Sequence, residues 1–90
     1  MNFRQHIKSL IESRDYDKAY VELCGEISGG APEAWMYTER GKISWKRGDV
    51  RAAMNDYYAA DRMEPDGDAA RLIENAQEIM QFRCTDLLNP

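Results

Sequence analysis

The chain has 90 residues, of which 43% are hydrophobic and 31% are charged, and its formal net charge is −4. These values fit one domain with a modest core, and the acidic balance argues against non-specific binding to DNA or membranes as its main activity. No apolar run resembles a signal peptide or a membrane span, so we expect a cytoplasmic protein, unless a leader has been removed.

Helical periodicity runs through the chain, and strand signals are absent. Apolar residues spaced i, i+4, i+7 and i+8 from Phe3 predict a first helix over about 2–13. After a short break, Asp15 is a candidate N-cap for a second helix that continues to about Ser28. The inner face of this second helix is predicted to carry Tyr16, Ala19, Tyr20, Leu23 and Ile27.

The third and fourth helices are separated by a glycine that is typical of a helix end. Pro32 suits the first turn of the third helix, where the missing N–H removes no hydrogen bond. That helix is predicted to stop at Gly48, and Asp49 to cap the fourth. The predicted apolar residues of the third helix are Trp35, Tyr37, Ile43 and Trp45, with Gly41 and Ser44 beside them.

A fifth helix is predicted to start near Asp68, after a break at residues 63–68. Its inner face is predicted to include Ala69, Leu72, Ile73, Ala76, Ile79 and Met80. The less regular tail contains Leu87 and Leu88, which are expected to keep it docked.

The chain repeats itself at an offset of 34 residues. The matched residues include Lys8 with Lys42, Asp15 with Asp49, and Ala19 with Ala53. A period of this length is typical of stacked helical units that share a continuous core. It favours a binding function over a catalytic one.

The third and fourth helices resemble the tetratricopeptide repeat (TPR), a helix–turn–helix unit of the same length. The residues that carry the resemblance are Tyr37, Gly41, Gly48, Ala53, Tyr57, Ala60 and Pro65. In that family the glycine and the first alanine let the paired helices approach closely, the aromatic residue fills the space between them, and the proline ends the second helix.

The resemblance implies an all-α, α–α superhelix with about two and a half repeats in one domain. It divides the chain into a degenerate repeat over 1–33, a repeat over 34–67 and a capping helix over 68–90. In the first repeat Ile7 stands where the family has a small residue, Glu26 replaces an alanine and Ala31 replaces the proline. The ending is similar to small bacterial TPR proteins of the Bacteroides type.

Residues with catalytic or metal-binding chemistry are few. His6 has no partner pattern and is expected to face solvent. Cys24 and Cys84 lie 60 residues apart without metal-like spacing, so we expect two free, inert thiols. The acidic pairs in the loops are better suited to helix capping than to calcium binding. The sequence therefore predicts no enzyme, no metal and no cofactor.

In TPR stacks the first helix of each repeat lines a concave groove. Carried over to this chain, the groove residues are Arg4, Lys8, Trp35, Thr38, Lys42, Trp45 and Lys46, with Ile11 beside them. The second helices carry the acids Asp17, Glu22, Glu26, Asp56, Asp61 and Glu64. The resemblance thus implies a basic concave side and an acidic convex side, although solvated surface charge is the simpler explanation of the cations.

Two functional hypotheses follow. The first is a protein–protein interaction module or scaffold whose groove binds a peptide, in particular an acidic one, with no nucleic acid or membrane as partner. Cationic and aromatic residues are favoured at the centres of such interfaces. The alternative is a structural module that forms a homodimer through its exposed terminal helices.

Overall fold

The computed structural model of the chain describes residues 2–88, with side chains over residues 2–80. The described residues form α-helices and no strand, which confirms the all-α prediction. The helices are α1 (Phe3–Glu12), α2 (Tyr16–Ser28), α3 (Ala34–Lys46), α4 (Val50–Met63) and α5 (Asp68–Leu88). The predictions for the side chains of Cys84, Leu87 and Leu88 lie outside the described residues.

Each helix packs mainly on its neighbours in the chain, and the α3–α4 contact is the most extensive. The body measures 50 × 28 × 19 Å along its principal axes. Such serial packing is consistent with an α–α superhelix, in which each unit contacts only the next. Within the described residues, no helix has both the length and the apolar composition needed to cross a bilayer.

The turns that join α1 to α2 and α3 to α4 share one geometry at the 34-residue offset. The N–H of Asp15 donates to the carbonyl oxygen of Leu10 at 2.8 Å, and the N–H of Asp49 donates to that of Ser44 at 2.9 Å. Asp49 also caps α4 as predicted, because its carboxylate accepts the N–H of Ala52 at 3.1 Å. Asp15 occupies the N-cap position of α2 without a side-chain cap bond.

Each of these turns contains one residue in the left-handed region. Gly48 has a φ of 83°, as expected for the residue after a helix C-terminus, and Arg14 has a φ of 62° at the equivalent position. A residue with a Cβ is disfavoured there because the Cβ approaches the following carbonyl oxygen. The first turn therefore adopts the geometry of the second with a residue less suited to it.

Helices α1 and α3 are capped differently at their N-termini, and α3 does not begin where the sequence predicted. At α1, Gln5 N–H donates to Asn2 Oδ1 at 2.8 Å and Asn2 N–H donates to Gln5 Oε1 at 3.3 Å, a reciprocal capping box. The predicted place of Pro32 in the first turn of α3 is wrong, because the N-cap is the extended Glu33 and the helix begins at Ala34. Pro32 instead fixes the backbone of the connecting segment.

The core consists of two clusters of buried side chains. The first cluster joins α1, α2 and α3 through Ile7, Ala19, Leu23, Met36 and Ile43. The second cluster joins α4 and α5 through Ala53, Met54, Tyr57, Ile73 and Ala76. The sequence pattern predicted most of these positions, but not Met36, whose side chain is buried against the first cluster.

The two clusters meet where α3 approaches α4 at Gly41. A Cβ at this position would lie 2.6 Å from Tyr57 Cε1 and 3.2 Å from the carbonyl oxygen of Ala53. This confirms that the site requires a residue without a side chain. In the first helix pair, Ile7 stands at the position of Gly41 and Leu23 at the position of Tyr57, and both are fully buried. The larger residue on α1 is therefore accommodated by a smaller residue on α2.

We expect Gly41→Ala to destabilise the fold by roughly 1–3 kcal/mol, because the buried Tyr57 ring cannot move away from the new methyl group. The matched control is Gly25→Ala in α2, where a Cβ would meet no atom within 4 Å. There the gain in helix propensity should stabilise the fold by about 0.5–1 kcal/mol. Urea unfolding of the three proteins measures both changes. Equal effects at the two glycines would contradict the close approach of α3 and α4.

We expect Arg14→Gly to raise the free energy of unfolding by a few tenths to about 1 kcal/mol, because it removes the cost of a left-handed residue that has a Cβ. The converse change, Gly48→Ala, should lower it by about 1 kcal/mol for the same reason. Thermal unfolding of both variants checks the pair. If Arg14→Gly instead lowers the free energy of unfolding, the contacts of the Arg14 side chain stabilise the fold by more than its left-handed backbone destabilises it.

Candidate functional site

The predicted groove residues line three depressions that follow α3. The α1–α3 depression lies between those two helices, the lysine depression lies between the C-terminal half of α3 and α5, and the acidic depression lies where α3 and α5 begin. The first and third adjoin each other, since both include Arg4, Trp35 and Glu39. Helix α3 contributes to all three, so its position fixes the whole face.

The α1–α3 depression has a volume of about 390 Å³ and brings Arg4, Lys8 and Trp35 together. The guanidinium carbon of Arg4 lies 5.3 Å from the centroid of the Trp35 ring, a cation–π distance. The sequence pattern did not indicate the two acidic residues that line this depression, Glu12 and Glu39. Because these carboxylates match the two cations in number, this depression has no net positive charge.

The lysine depression has a volume of about 290 Å³ and brings Lys42, Trp45 and Lys46 together. The remaining lining residues are Tyr57, Leu72, Asn75, Ala76 and Ile79, so no carboxylate is among them. The floor is mainly apolar, and Ile79 is 43% exposed there although the helical pattern placed it on the inner face of α5. The exposed side chain of Ile79 leaves an apolar surface beside two cations.

The charged and ionisable groups of the lysine depression have identifiable neighbours. Lys42 Nζ lies 3.4 Å from Glu39 Oε1, one helical turn earlier. The ammonium group of Lys46 lies 5.6 Å from the centroid of the Tyr16 ring at the start of α2. Burial raises the pKa of the Tyr57 hydroxyl, with Glu39 and Asp56 adding to the shift, so this group stays neutral. Lys46 is therefore the cation most open to a partner.

The acidic depression has a volume of about 210 Å³ and contains Thr38 together with two other predicted groove residues, Arg4 and Trp35. Thr38 is buried, and its hydroxyl donates to the carbonyl oxygen of Ala34 at 3.2 Å. Its functional groups are thus used within α3. The charged residues that line this depression are Arg4, Glu33, Glu39, Glu64 and Asp68.

The opposite side of α3 is held by Arg40, which contacts both neighbouring helices. Arg40 Nε donates to Asp56 Oδ2 at 2.9 Å and Nη2 donates to Asp56 Oδ1 at 2.7 Å, a bidentate pair. Arg40 Nη1 also donates to Cys24 Sγ at 3.6 Å. The hydrogen bond to Asp56 raises the pKa of Arg40 above its ordinary value. One guanidinium group therefore ties α3 to α4 and to α2.

Asp56 was expected on an acidic convex surface, and that prediction is wrong. The residue is only 6% exposed, because the guanidinium group of Arg40 holds it at the α3–α4 contact. A helical surface pattern does not distinguish a solvated acid from one that faces a cation on the next helix. The signal that could have found the pair is the repeat itself, because Arg40 and Asp56 match His6 and Glu22 at the 34-residue offset.

The His6–Glu22 pair joins α1 to α2 as Arg40–Asp56 joins α3 to α4. His6 Nε2 lies 2.9 Å from Glu22 Oε2, and the histidine is half-buried. The His6 side chain is 39% exposed, so it faces solvent in part as predicted, but it also has a partner across the helix pair that the sequence pattern did not indicate. His6 and Cys24 have different partners, Glu22 and Arg40, and the structure does not join them in one site.

The other acids of α2 and α4 differ in their surroundings. Asp17 pairs with Arg47, whose guanidinium carbon lies 4.5 Å from the Tyr20 ring centroid. Glu64 lines the acidic depression beside α3. The predicted acidic convex side is therefore wrong at Asp56, which is buried, and at Glu64, which lies on the groove side, whereas Glu26 and Asp61 line none of the three depressions.

Among the described residues, no three His, Cys, Asp or Glu side chains come together as metal ligands. Comparison with protein-family models, with curated proteins and with solved structures finds no match to this chain. Its function is therefore inferred from the geometry of its own residues.

We expect Asp56→Ala to lower the free energy of unfolding by about 2–4 kcal/mol, because it leaves the Arg40 guanidinium group without its partner at a largely buried contact. Asp61→Ala, on the same helix, is the control, since Asp61 forms no ion pair among the described residues. Its effect should stay within about 0.5 kcal/mol. Chemical unfolding compares the two. The variant Arg40→Met with Asp56→Leu should recover much of the loss, and a double variant as unstable as Asp56→Ala would contradict the charge-pairing explanation.

Proposed function

We propose that this chain is a small TPR-like module that binds a peptide segment of another protein, and that the lysine depression is the principal contact. The recurrence of the same turn at the 34-residue offset and the close approach at Gly41 support the repeat assignment. The observation that carries the binding proposal is the lysine depression itself, an apolar surface with two cations and no carboxylate among its lining residues.

The chemistry of this depression selects for a particular kind of segment. The half-buried Trp45 and Leu72 and the exposed Ile79 offer contact to an apolar side chain, which loses its own hydration when it packs against them. Lys42 and Lys46 would attract a carboxylate next to that side chain. Such exposed charges act over about 8–10 Å at ordinary ionic strength, so they guide a partner and fix its register. The best occupant is therefore an apolar residue followed or preceded by Asp or Glu.

The α1–α3 depression extends the contact surface but does not select acids. Its two cations are matched by Glu12 and Glu39, and the Trp35 ring is already covered in part by Arg4. We assign it a supporting role, in which Trp35 packs against the remainder of the bound segment. This differs from a uniformly basic groove, because the preference for acid is concentrated at one end of α3.

Self-association is the alternative function, and Ile79 is the observation that favours it. This half-exposed side chain lies on α5, the last helix, where a second copy of the chain would bury it. Sedimentation equilibrium over a wide concentration range separates the two functions. A dimer that Ile79→Glu dissociates supports self-association, whereas a monomer that binds acidic peptides supports the peptide module.

We expect a labelled acidic, apolar peptide to bind more tightly than a basic one, and its affinity to fall as salt is added. Lys42→Glu with Lys46→Glu should weaken binding by at least about tenfold, because attraction at two positions becomes repulsion. The control is Arg51→Glu, which replaces an exposed cation on α4 that lines none of the three depressions.

Fluorescence anisotropy titrations of the three proteins measure these affinities, and circular dichroism verifies that each variant is folded. Equal binding of acidic and basic peptides would contradict the proposal. So would a loss of affinity in Arg51→Glu as large as the loss in the lysine reversals.

A further inference from the structure

The acidic and lysine depressions follow one another along α3 and α5, and we call the two together the furrow; its charge changes sign from one end to the other. The acidic end is lined by residues 33–39 at the start of α3 and residues 67–69 at the start of α5. The opposite end is lined by residues 42–46 and 72–79 of the same two helices. Helices α3 and α5 therefore run in the same direction along the furrow, which has carboxylates at one end and lysines at the other.

The helix dipoles account for part of this arrangement. Helices α3 and α5 both begin at the acidic end, where the partial positive charge of a helix N-terminus favours carboxylates such as Asp68. Lys46 lies in the last turn of α3, where a cation is favoured. Because the two helices are parallel, the N-termini of both favour carboxylates at the same end of the furrow.

Glu64 does not follow this rule. It is the C-cap residue of α4, where the partial negative charge of the helix end disfavours a carboxylate, yet it lines the acidic depression. Glu33 and Glu64 are exposed and form no ion pair among the described residues. Glu39 and Asp68 pair with Lys42 and Arg71 of their own helices. Two carboxylates at this end are therefore open to a cation from outside the chain.

We infer that the furrow reads the charge polarity of its ligand: it binds a peptide that is basic at one end and acidic at the other, with an apolar centre. The inference rests on the proposed function and specifies its partner class. The basic end would meet Glu33 and Glu64, the apolar centre would pack on Trp45 and Ile79, and the acidic end would meet Lys46. Charge, rather than chain direction, would then set the orientation of the bound segment.

The dimensions of α3 fix the spacing of the two charged ends. A helix of 13 residues is about 20 Å long at a rise of 1.5 Å per residue. An extended peptide covers that length with about six residues at roughly 3.3 Å each. The basic and acidic residues of the ligand should therefore lie about five or six positions apart, and a peptide with adjacent opposite charges should not satisfy both ends.

The test compares three peptides of equal length and equal apolar content: a bipolar one, a uniformly acidic one and a bipolar one whose charges adjoin. We expect the bipolar peptide with separated charges to bind about three- to tenfold more tightly than either of the others, since each misplaced exposed charge contributes a modest amount. Glu33→Lys with Glu64→Lys should reverse the order and favour the uniformly acidic peptide. The control for total charge is Glu26→Lys with Glu78→Lys, two exposed acids that line none of the three depressions.

Orientation is measured by NMR with a nitroxide label at either end of the bipolar peptide. A label at the basic end should broaden the amide signals of residues 64–69, and a label at the acidic end should broaden those of residues 42–46. Equal affinity for the bipolar and uniformly acidic peptides, or broadening at both ends with either label, would overturn the polarity inference while groove binding stands. If none of the peptides binds, both the inference and the proposed function fail.

Discussion

The approach of α3 to α4 at Gly41 sets the position of every side chain on the furrow. The missing Cβ leaves room for the Tyr57 ring of the second buried cluster against α3. The same ring also lines the lysine depression. Because α3 and α4 are fixed by this contact, α5 can pack on α4 at a place where it also stands beside α3 and completes the furrow.

Arg40 holds α3 from the side opposite the furrow. Its bidentate pair with Asp56 and its contact with Cys24 tie α3 to both neighbouring helices. The His6–Glu22 pair joins α1 and α2 at the equivalent place. The same kind of contact between paired helices thus occurs twice, at the 34-residue offset.

The sequence pattern predicted the helices well and the surface charges poorly. Gly41, Gly48 and Asp49 have local requirements, namely close packing, a left-handed backbone and an N-cap, and the structure confirms all three. For Asp56 and His6 the pattern indicated solvent, and the structure shows contacts between helices. Periodicity reports which face of a helix is polar, but not whether that face meets water or a charge on the next helix. That is why Asp56 was wrongly predicted to lie on an acidic outer surface.

The sequence by itself determined the all-α class and the positions of the turns, because each depends mainly on interactions within one helix or one turn. Only the tertiary structure decided how charge is distributed along the furrow. Glu33, Glu64 and Asp68 come from three separate segments, and they form one acidic end because α3 and α5 begin next to the end of α4. The sign of the charge at each end is therefore a property of how the helices are arranged, and no single helix carries it.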